Sequence, residues 1–405
     1  MKVVIVGGGA SGMVSAIFQK RLGHDVTLIE KNEKLGKKLY ITGKGRCNLC
    51  NDCDENEFLL NVVSNPKFMM GSIYSFSPQK TMEFFEDLGL KLKTERGNRV
   101  FPISDKSSDV IKALQNCLED LGVKINFNET VLKTTCKDDG IFHIITDKTE
   151  YFADKLIIAT GGITYPSTGS TGDGYRFAKE FGHSVSKVYP SLCGINLKGD
   201  EFKNLQGVTL KNVKLIAKVN NKIVHEEQGE LLFTHYGISG PLVLTCSALL
   251  CRRQNEKIKL YIDLKPALSD EVLDKRVLKD FLEFKNKELK NSLDKLLPKA
   301  LIPLIIKRSE ILEYKKVSIL TSVERARLVE NIKNLEFTFD SLRGVNEAVI
   351  TSGGVAVNEI NPKTMESKLV KNLYFVGEVL DVDAFTGGFN LQIAFSTAHS
   401  AGIQN

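Results

Sequence analysis

A glycine turn close to the first residue constrains this chain more than any other feature. Val3–Val6 is an apolar run of strand length, Gly7-Gly8-Gly9-Ala10-Ser11-Gly12 follows it, and Met13–Leu22 has helical spacing. Val26–Ile29 reads as a second strand, ending at Glu30, which lies 18 residues past Gly12. A turn of the form G-x-G-x-x-G in this context predicts a dinucleotide-binding βαβ unit. Gly7 makes the tight turn, Gly9 lets backbone approach a pyrophosphate, and Gly12 permits close helix–strand packing. The helix that starts at Ala10 and Ser11 presents free N–H groups and partial positive charge to phosphates. Glu30 is placed to accept hydrogen bonds from ribose hydroxyls, and its charge disfavours a 2′-phosphate. A glycine turn with no ligand is the bland alternative, and the strand, helix and acid in their places argue against it.

Three further segments favour FAD over NAD. The stretch after Glu30 carries Lys31, Lys34, Lys37, Lys38, Lys44 and Arg46 among Gly36, Gly43 and Gly45, a basic, flexible loop able to wrap a dinucleotide. Ile157-Ile158-Ala159-Thr160-Gly161-Gly162 is a strand closed by a tight turn, placed for a second contact with the adenine half. Near the C-terminus, Leu373–Val376 is a strand ending at Gly377-Glu378, and Gly387-Gly388 opens a helix over Asn390–Ala401. The N-terminus of that helix is suited to the N1–C2=O edge of a flavin.

Lys31–Asn56 reads as a long polar loop, too charged for core. Thr81–Leu88 and Asp109–Leu121 read as amphipathic helices, and Leu132–Ala153 as a three-stranded meander turning at Asp138-Asp139-Gly140. Past about Pro190 the texture changes: Val208–Val219, Lys222–His225, Glu230–Thr234 and Lys257–Leu264 read as antiparallel strands, and Ser269–Arg327 as charged helix broken at Pro298 and Pro303. The dense Gly and Val pattern returns from Gly344. The expected fold is α/β: a Rossmann-like FAD-binding domain of the glutathione-reductase type, 1–190 and 342–405, interrupted by a β-rich module, 191–266 and 333–341, and a helical module, 267–332.

With 405 residues the chain has room for two or three domains, and 42% hydrophobic with 26% charged residues excludes a disordered or fibrous chain. Tyr236–Cys251 is uncharged but only 16 residues long, too short to span a bilayer, and reads as a buried helix. No secretory signal opens the chain, so a cytoplasmic protein is expected, with no membrane partner. The oligomeric state is left open. The net charge is +6, and residues 256–333 hold 18 Lys and Arg against 13 Asp and Glu. That excess reads either as a solvated helical face or as a docking surface for an acidic partner such as RNA.

The ordered motifs resemble the bacterial YhiN/BaiN-type FAD flavoproteins, the aminoacetone-oxidase-like oxidoreductases. The resemblance rests on Gly36–Leu39, Thr42-Gly43-Lys44-Gly45-Arg46-Cys47-Asn48, Thr160–Gly162, Tyr165–Gly174, Leu232–Pro241, Thr351–Val355 and Gly377–Ala394, and so runs end to end. The Thr-Gly-Asp-Gly and Gly-Gly-Val pieces also look like the fumarate-reductase group. One departure is Asn48-Leu49-Cys50-Asn51, where the family pattern has Thr in place of Cys50. The resemblance implies that Gly7, Gly9, Gly12, Glu30, Lys38, Arg46 and Thr160 hold the adenine half and pyrophosphate, with Ala10, Ser11, Lys31 and Gly161 beside them. Val131 is expected to add backbone contacts to adenine. Gly377, Glu378, Gly388, Phe389, Asn390 and Leu391 are expected to hold the ribityl chain and flavin.

No second dinucleotide fingerprint is present, so NADH or NADPH would visit the flavin as a transient donor; reoxidation by O2 is the alternative. The resemblance implies reduction of an activated C=C bond, in a steroid-type enone or a uracil base of ribosomal RNA. An FAD amine oxidase and an RNA-docking flavoprotein are the alternatives. Saturating a C=C bond takes a hydride and a proton, and the candidate acids are Cys47, Tyr165, His235 and Tyr236. Each has a plainer reading: a packed thiol for Cys47, flavin stacking for Tyr165, and capping of a strand-to-helix turn for His235 and Tyr236. Arg46 beside Cys47 is expected to lower its pKa. Cys47, Cys50 and Cys53 form C-x-x-C-x-x-C, but no fourth soft ligand follows until Cys117, so no metal is expected.

Overall fold

The computed structural model describes residues 1–404 and divides the chain into two compact units. One joins Met1–Ser191 to the segment from Gly344 onward; the other is Leu192–Arg343. The first is built on a parallel sheet of β1 (Lys2–Val6), β2 (Asp25–Ile29), β3 (Lys124–Asn126), β4 (Lys155–Ile158) and β5 (Leu373–Phe375). The strand order is β5-β4-β1-β2-β3, so the first strand is central and the last is an edge. Val3, Val4, Ile5 and Val6 are all buried, which is why β1 is a continuous apolar run rather than an alternating one. Helix α1 (Ala10–Arg21) packs against α2 (Phe389–Gly402), the last helix of the chain. Ser15 Oγ donates to Ala398 O at 3.3 Å, and Gln19 Nε2 to Ala401 O at 2.8 Å. The first and last elements of the chain therefore share one core.

The expected meander is present as Val131–Cys136, Phe142–Thr146 and Glu150–Ala153, paired antiparallel. The stretch Lys31–Asn56 is not the open polar loop its composition implies. It contains a short helix, Lys37–Ile41, and a strand, Cys50–Asn51, and it buries Leu35, Leu39, Cys47, Leu49, Cys50 and Cys53. Apolar anchors spaced among lysines were averaged away when the segment was read by charge.

In the second unit six strands close into a barrel, in the order Ile195–Leu197, Gly237–Ser239, Lys222–Thr234, Thr209–Val219, Ile258–Asp263, Leu335–Leu342. Lys222–His225 and Glu230–Thr234, read as two strands, are one. Gly229 continues the ladder between them, paired with Val213, and Leu242 packs close over it, 3.1 Å from a Cβ placed there. Tyr236–Cys251 is only partly helical. Gly240 sits at φ 102, outside the helical region, and Pro241 begins the helix Pro241–Leu250. His235 and Tyr236 consequently form a hairpin turn, not a strand-to-helix turn.

The helices of this unit are capped by Ser269, whose side chain accepts from Val272 N, and by a capping box between Thr321 and Glu324. Ten of the 18 basic residues in 256–333 are in ion pairs, among them Arg325–Asp274, Lys315–Glu324 and Lys333–Asp263. Much of the basic excess therefore braces the unit. Among the described residues no helix is long and apolar enough to cross a membrane.

Lys155 in β4 is a fully buried cation whose Nζ donates to Gln404 O at 2.6 Å. Burial lowers its pKa from 10.5 to about 8. Between those values the unfolded chain binds the proton and the folded one does not, so stability should rise as pH climbs through that window. Denaturant melts from pH 7.5 to 10.5 should show the gain in the native chain and its loss, by about 1–3 kcal/mol, in Lys155→Met. Parallel pH profiles for the two proteins would refute the assignment.

Candidate active site

The glycines of the first turn do different jobs. A Cβ on Gly7 would lie 2.5 Å from the Ala159 carbonyl oxygen, and one on Gly12 would run into Gly7 O. Both glycines are required by the fold itself. A Cβ on Gly9 would meet nothing within 4 Å, and Gly9 has an extended backbone, φ −79 and ψ −169, that any residue adopts. The space beside Gly9, at the N-terminus of α1, is open. No acidic residue and no capping side chain compete for that helix end.

Glu30 is buried at the end of β2. It accepts from Gly8 N–H at 2.7 Å, from Asn32 N–H at 2.8 Å and from Asn32 Nδ2 at 2.6 Å. Its carboxylate is thereby held beside the glycine turn, with lone pairs to spare for hydroxyl donors. Gly377 stands where a Cβ would lie 2.6 Å from Ser11 Oγ, so the C-terminal segment abuts the first turn of α1. Gly388, at φ 102, caps α2 and lies against the backbone carbonyl of Cys50. Thr160 and Ser170 present buried hydroxyls with no protein partner, and Gly161, at φ 72, faces Ser170 Oγ. Val131 is buried at the start of the meander.

Several side chains named from the motifs are engaged elsewhere. Lys31 Nζ bonds Thr171 Oγ1 at 2.6 Å and Asp173 Oδ2 at 2.7 Å. Arg46 bonds Glu95 at 2.5 Å and Asp105 at 2.9 Å through Nε, and lies 4.2 Å over the Phe101 ring. It is a brace for the glycine loop. Asn390 accepts from Ala384 N–H at 2.9 Å and donates to Ala384 O at 2.8 Å, fixing the segment before the helix. What Asn390, Phe389 and Leu391 offer a ligand is the helix N-terminus.

Lys38 and Glu378, assigned to opposite halves of a dinucleotide, are bonded to each other. Lys38 Nζ lies 2.6 Å from Glu378 Oε2 and 2.9 Å from Oε1, and 2.7 Å from Thr164 Oγ1. Glu378 Oε1 also accepts from Thr351 N–H at 2.8 Å and from Thr164 Oγ1 at 3.1 Å. Oε1 therefore has three donors and Oε2 one, which leaves Oε2 as the oxygen free for a further hydroxyl. Neither Thr164 nor Thr351 has a role assigned from the sequence; Thr351 opens one of the matching motifs, and Thr164 falls between two of them. Asn48 is a third residue of this kind: its side-chain oxygen is buried without a partner.

Among the candidate acids, Cys47 is fully buried, and burial pushes its thiol up to about 12. The expected lowering by Arg46 does not occur, because the guanidinium is turned to Glu95 and Asp105. Burial likewise raises Cys53 to about 12 and raises Cys50, with Glu57 and Asp52 adding to the respective shifts. Tyr165 has a left-handed backbone, φ 53, held by its N–H on Val345 O at 2.9 Å and by Thr168 Oγ1 on its carbonyl at 2.7 Å. His235 is exposed in the second unit, edge-on to Tyr236, whose ring is covered by Arg343 at 4.2 Å. A Cβ on Gly194 would lie 2.6 Å from Tyr236 Oη, so Tyr236 packs on bare backbone.

The open space at Gly9, the uncapped ends of α1 and α2, the carboxylate at Glu30 and the unpartnered polar atoms of Thr160, Ser170 and Asn48 fit FAD. Glu30 and Thr160 would hold the adenine half, and Glu378 with the α2 N-terminus the ribityl chain and ring.

Comparison with known proteins agrees. The family model described as HI0933-like protein Rossmann domain matches residues 1–404. A 3-dehydro-bile acid delta(4,6)-reductase from Clostridium scindens is 33% identical over 99% of this chain and 98% of its own. A ribosomal RNA dihydrouridine synthase from Haemophilus influenzae is 30% identical over 99% and 97%. The solved 3-ketosteroid delta1-dehydrogenase from Sterolibacterium denitrificans superposes with a TM-score of 0.51 over 99% of this chain and 98% of its own; at 13% identity it shows the shared fold alone.

The two kinds of glycine should separate experimentally. Gly9→Val should purify colourless yet fold with the melting temperature of the flavin-free native chain, because the side chain fills ligand space only. Gly12→Val should lose stability whether or not flavin is added. A yellow Gly9→Val protein would refute the placement of the pyrophosphate.

Proposed function

The chain belongs to the HI0933-like family of FAD-dependent oxidoreductases, and from that premise we propose that it uses NADH or NADPH to saturate an activated C=C bond. The acceptor is an enone-type small molecule or a uracil base in ribosomal RNA. The observation that carries this reading is the full-length similarity to two relatives whose names, a delta(4,6)-reductase and a dihydrouridine synthase, both denote saturation of a carbon–carbon double bond. FAD, when bound, supplies the hydride chemistry, drawing its electrons from the nicotinamide.

The chain's own residues bind and orient the cofactor and furnish a proton. Hydride addition at the β carbon of an enone leaves negative charge on the carbonyl side, and a proton must then reach the α carbon. Cys47 is a poor donor, being buried and a very weak acid. Tyr165 is the better candidate. It follows Thr164 of the Lys38–Glu378 network, and left-handed residues of bulky type cluster at functional sites. On this reading Tyr165→Phe slows acceptor reduction by about 10²-fold and leaves flavin reduction by NAD(P)H unchanged. Equal slowing of both half-reactions would count against that role.

The decisive experiment is anaerobic stopped-flow of the yellow protein with NADH and NADPH separately. Fast bleaching, slow reoxidation in air and fast reoxidation by an enone or ribosomal RNA support a reductase. No bleaching by either nucleotide, with reduction by an amine and peroxide release in air, would establish the oxidase instead.

One feature favours the RNA acceptor. In the second unit Lys287 stands 4.0 Å over Phe284 and Lys290 3.9 Å over Tyr314, so cations and rings alternate on one surface, as in single-strand binders. Filter binding of ribosomal RNA should then weaken steeply with salt and be reduced by Lys287→Glu with Lys290→Glu. RNA binding that ignores both changes would remove this surface from consideration.

A further inference from the structure

The side-chain oxygen of Asn48 is buried and has no hydrogen-bond partner in the protein. Leaving a buried acceptor unpaired costs about 1–3 kcal/mol, so its position implies a donor that the chain itself does not provide. The backbone on both sides is fixed. Cys47, just before it, is held left-handed at φ 58, with its N–H on Thr42 O at 3.1 Å. Leu49 N–H donates to Val100 O at 2.9 Å, and Cys50 pairs with Val100 in a two-residue strand. The orphan oxygen is thus not relieved by a small shift of a mobile loop.

The surroundings say what kind of donor is missing. Asn51 Nδ2 donates to Gly387 O at 3.1 Å, and a Cβ on Gly388 would run into the Cys50 carbonyl. Cys50 and Asn51 therefore lie along the turn that opens α2, two and three residues past Asn48. That helix is 14 residues long, has no side-chain cap and has no acid in its first turn. The helix end thus offers N–H donors, and the chain segment that packs on it carries an unpaired amide acceptor at Asn48. The pyrimidine edge of an isoalloxazine ring is complementary: a carbonyl oxygen, then N3–H, then a second carbonyl oxygen. A ribityl hydroxyl would not require an acceptor, because it can accept as well as donate. N3–H can only donate.

We propose that Asn48 is a flavin-positioning residue whose side-chain oxygen receives the N3–H of the cofactor. This rests on the FAD reading and adds to it the contact that sets the ring's orientation. Substituting a carboxylate there places negative charge beside the ring edge where charge accumulates on reduction, so Asn48→Asp lowers the flavin midpoint potential.

The test compares FAD with 3-methyl-FAD, which lacks the N3–H, for binding to flavin-free protein by fluorescence quenching. The native chain should prefer FAD by about tenfold. Asn48→Ala should weaken FAD by a similar factor, tolerate the methyl group in the space created, and bind the two flavins within about threefold. Equal binding of both flavins by the native chain overturns the proposal, and so does an unchanged preference in a folded Asn48→Ala. The native comparison stands alone if the variant does not fold. Failure of the native chain to bind either flavin would instead overturn the FAD reading on which this one rests.

Discussion

The close approach of the first glycine turn to the loop after β4 is the constraint on which the rest depends. Gly7 sits against the Ala159 carbonyl, and Gly12 against Gly7. No side chain fits in either place. With the turn so tight, α1 leaves the sheet at an angle that lays its first turn beside Gly377 and the length of the helix along α2. The same contact leaves Gly9 facing open space. One steric fact thus binds the two ends of the chain into a single core.

The second tie is electrostatic. Lys38 and Glu378 are 340 residues apart in sequence and 2.6 Å apart in space, each about three-quarters buried. A pair so placed is worth more than a fully exposed one, because its charges are less screened and Thr164 and Thr351 add hydrogen bonds to Oε1 of the carboxylate. It also fixes the loop after Glu30 to the C-terminal segment. Arg46, on Glu95 and Asp105, pins the other end of that loop. Lys31, Lys38 and Arg46 of this basic stretch thus each fasten it to another segment of the same unit.

This explains what the sequence made legible. The βαβ unit, the meander at 131–153 and the return of the C-terminal strand follow from periodicity and turn chemistry, which are local, and they were readable to within a residue or two. The fused strand at Lys222–Thr234 and the buried anchors of 31–56 depend on partners far away in sequence: Leu242 for Gly229, and the strand Arg99–Pro102 for Cys50. Side-chain roles were legible where backbone carries the chemistry, as at Gly9 and Gly388. Where charge was the guide, as at Lys31 and Arg46, the sequence could not show the protein partner, since a basic residue pairs with whichever carboxylate the fold brings near. Thr164, Thr351 and Asn48 gave no signal of their own; polar, uncharged residues become informative only when burial shows which atoms lack partners.

The same logic bears on why the proton donor is the least legible part of the site. Flavin chemistry places the electron transfer on the cofactor, so selection on the protein acts through position, and position is distributed over glycines, helix ends and hydrogen-bonded threonines. The thiols illustrate the point. A C-x-x-C-x-x-C run invites a redox or metal role, yet Cys47, Cys50 and Cys53 are all buried, and desolvation holds each as a neutral thiol. They fill volume between the glycine loop and α2, where Cys50 presents its carbonyl to Gly388. Tyr165 shares a left-handed backbone with Cys47, held in its case by Val345 and Thr168, but it is only partly buried where the thiol is sealed.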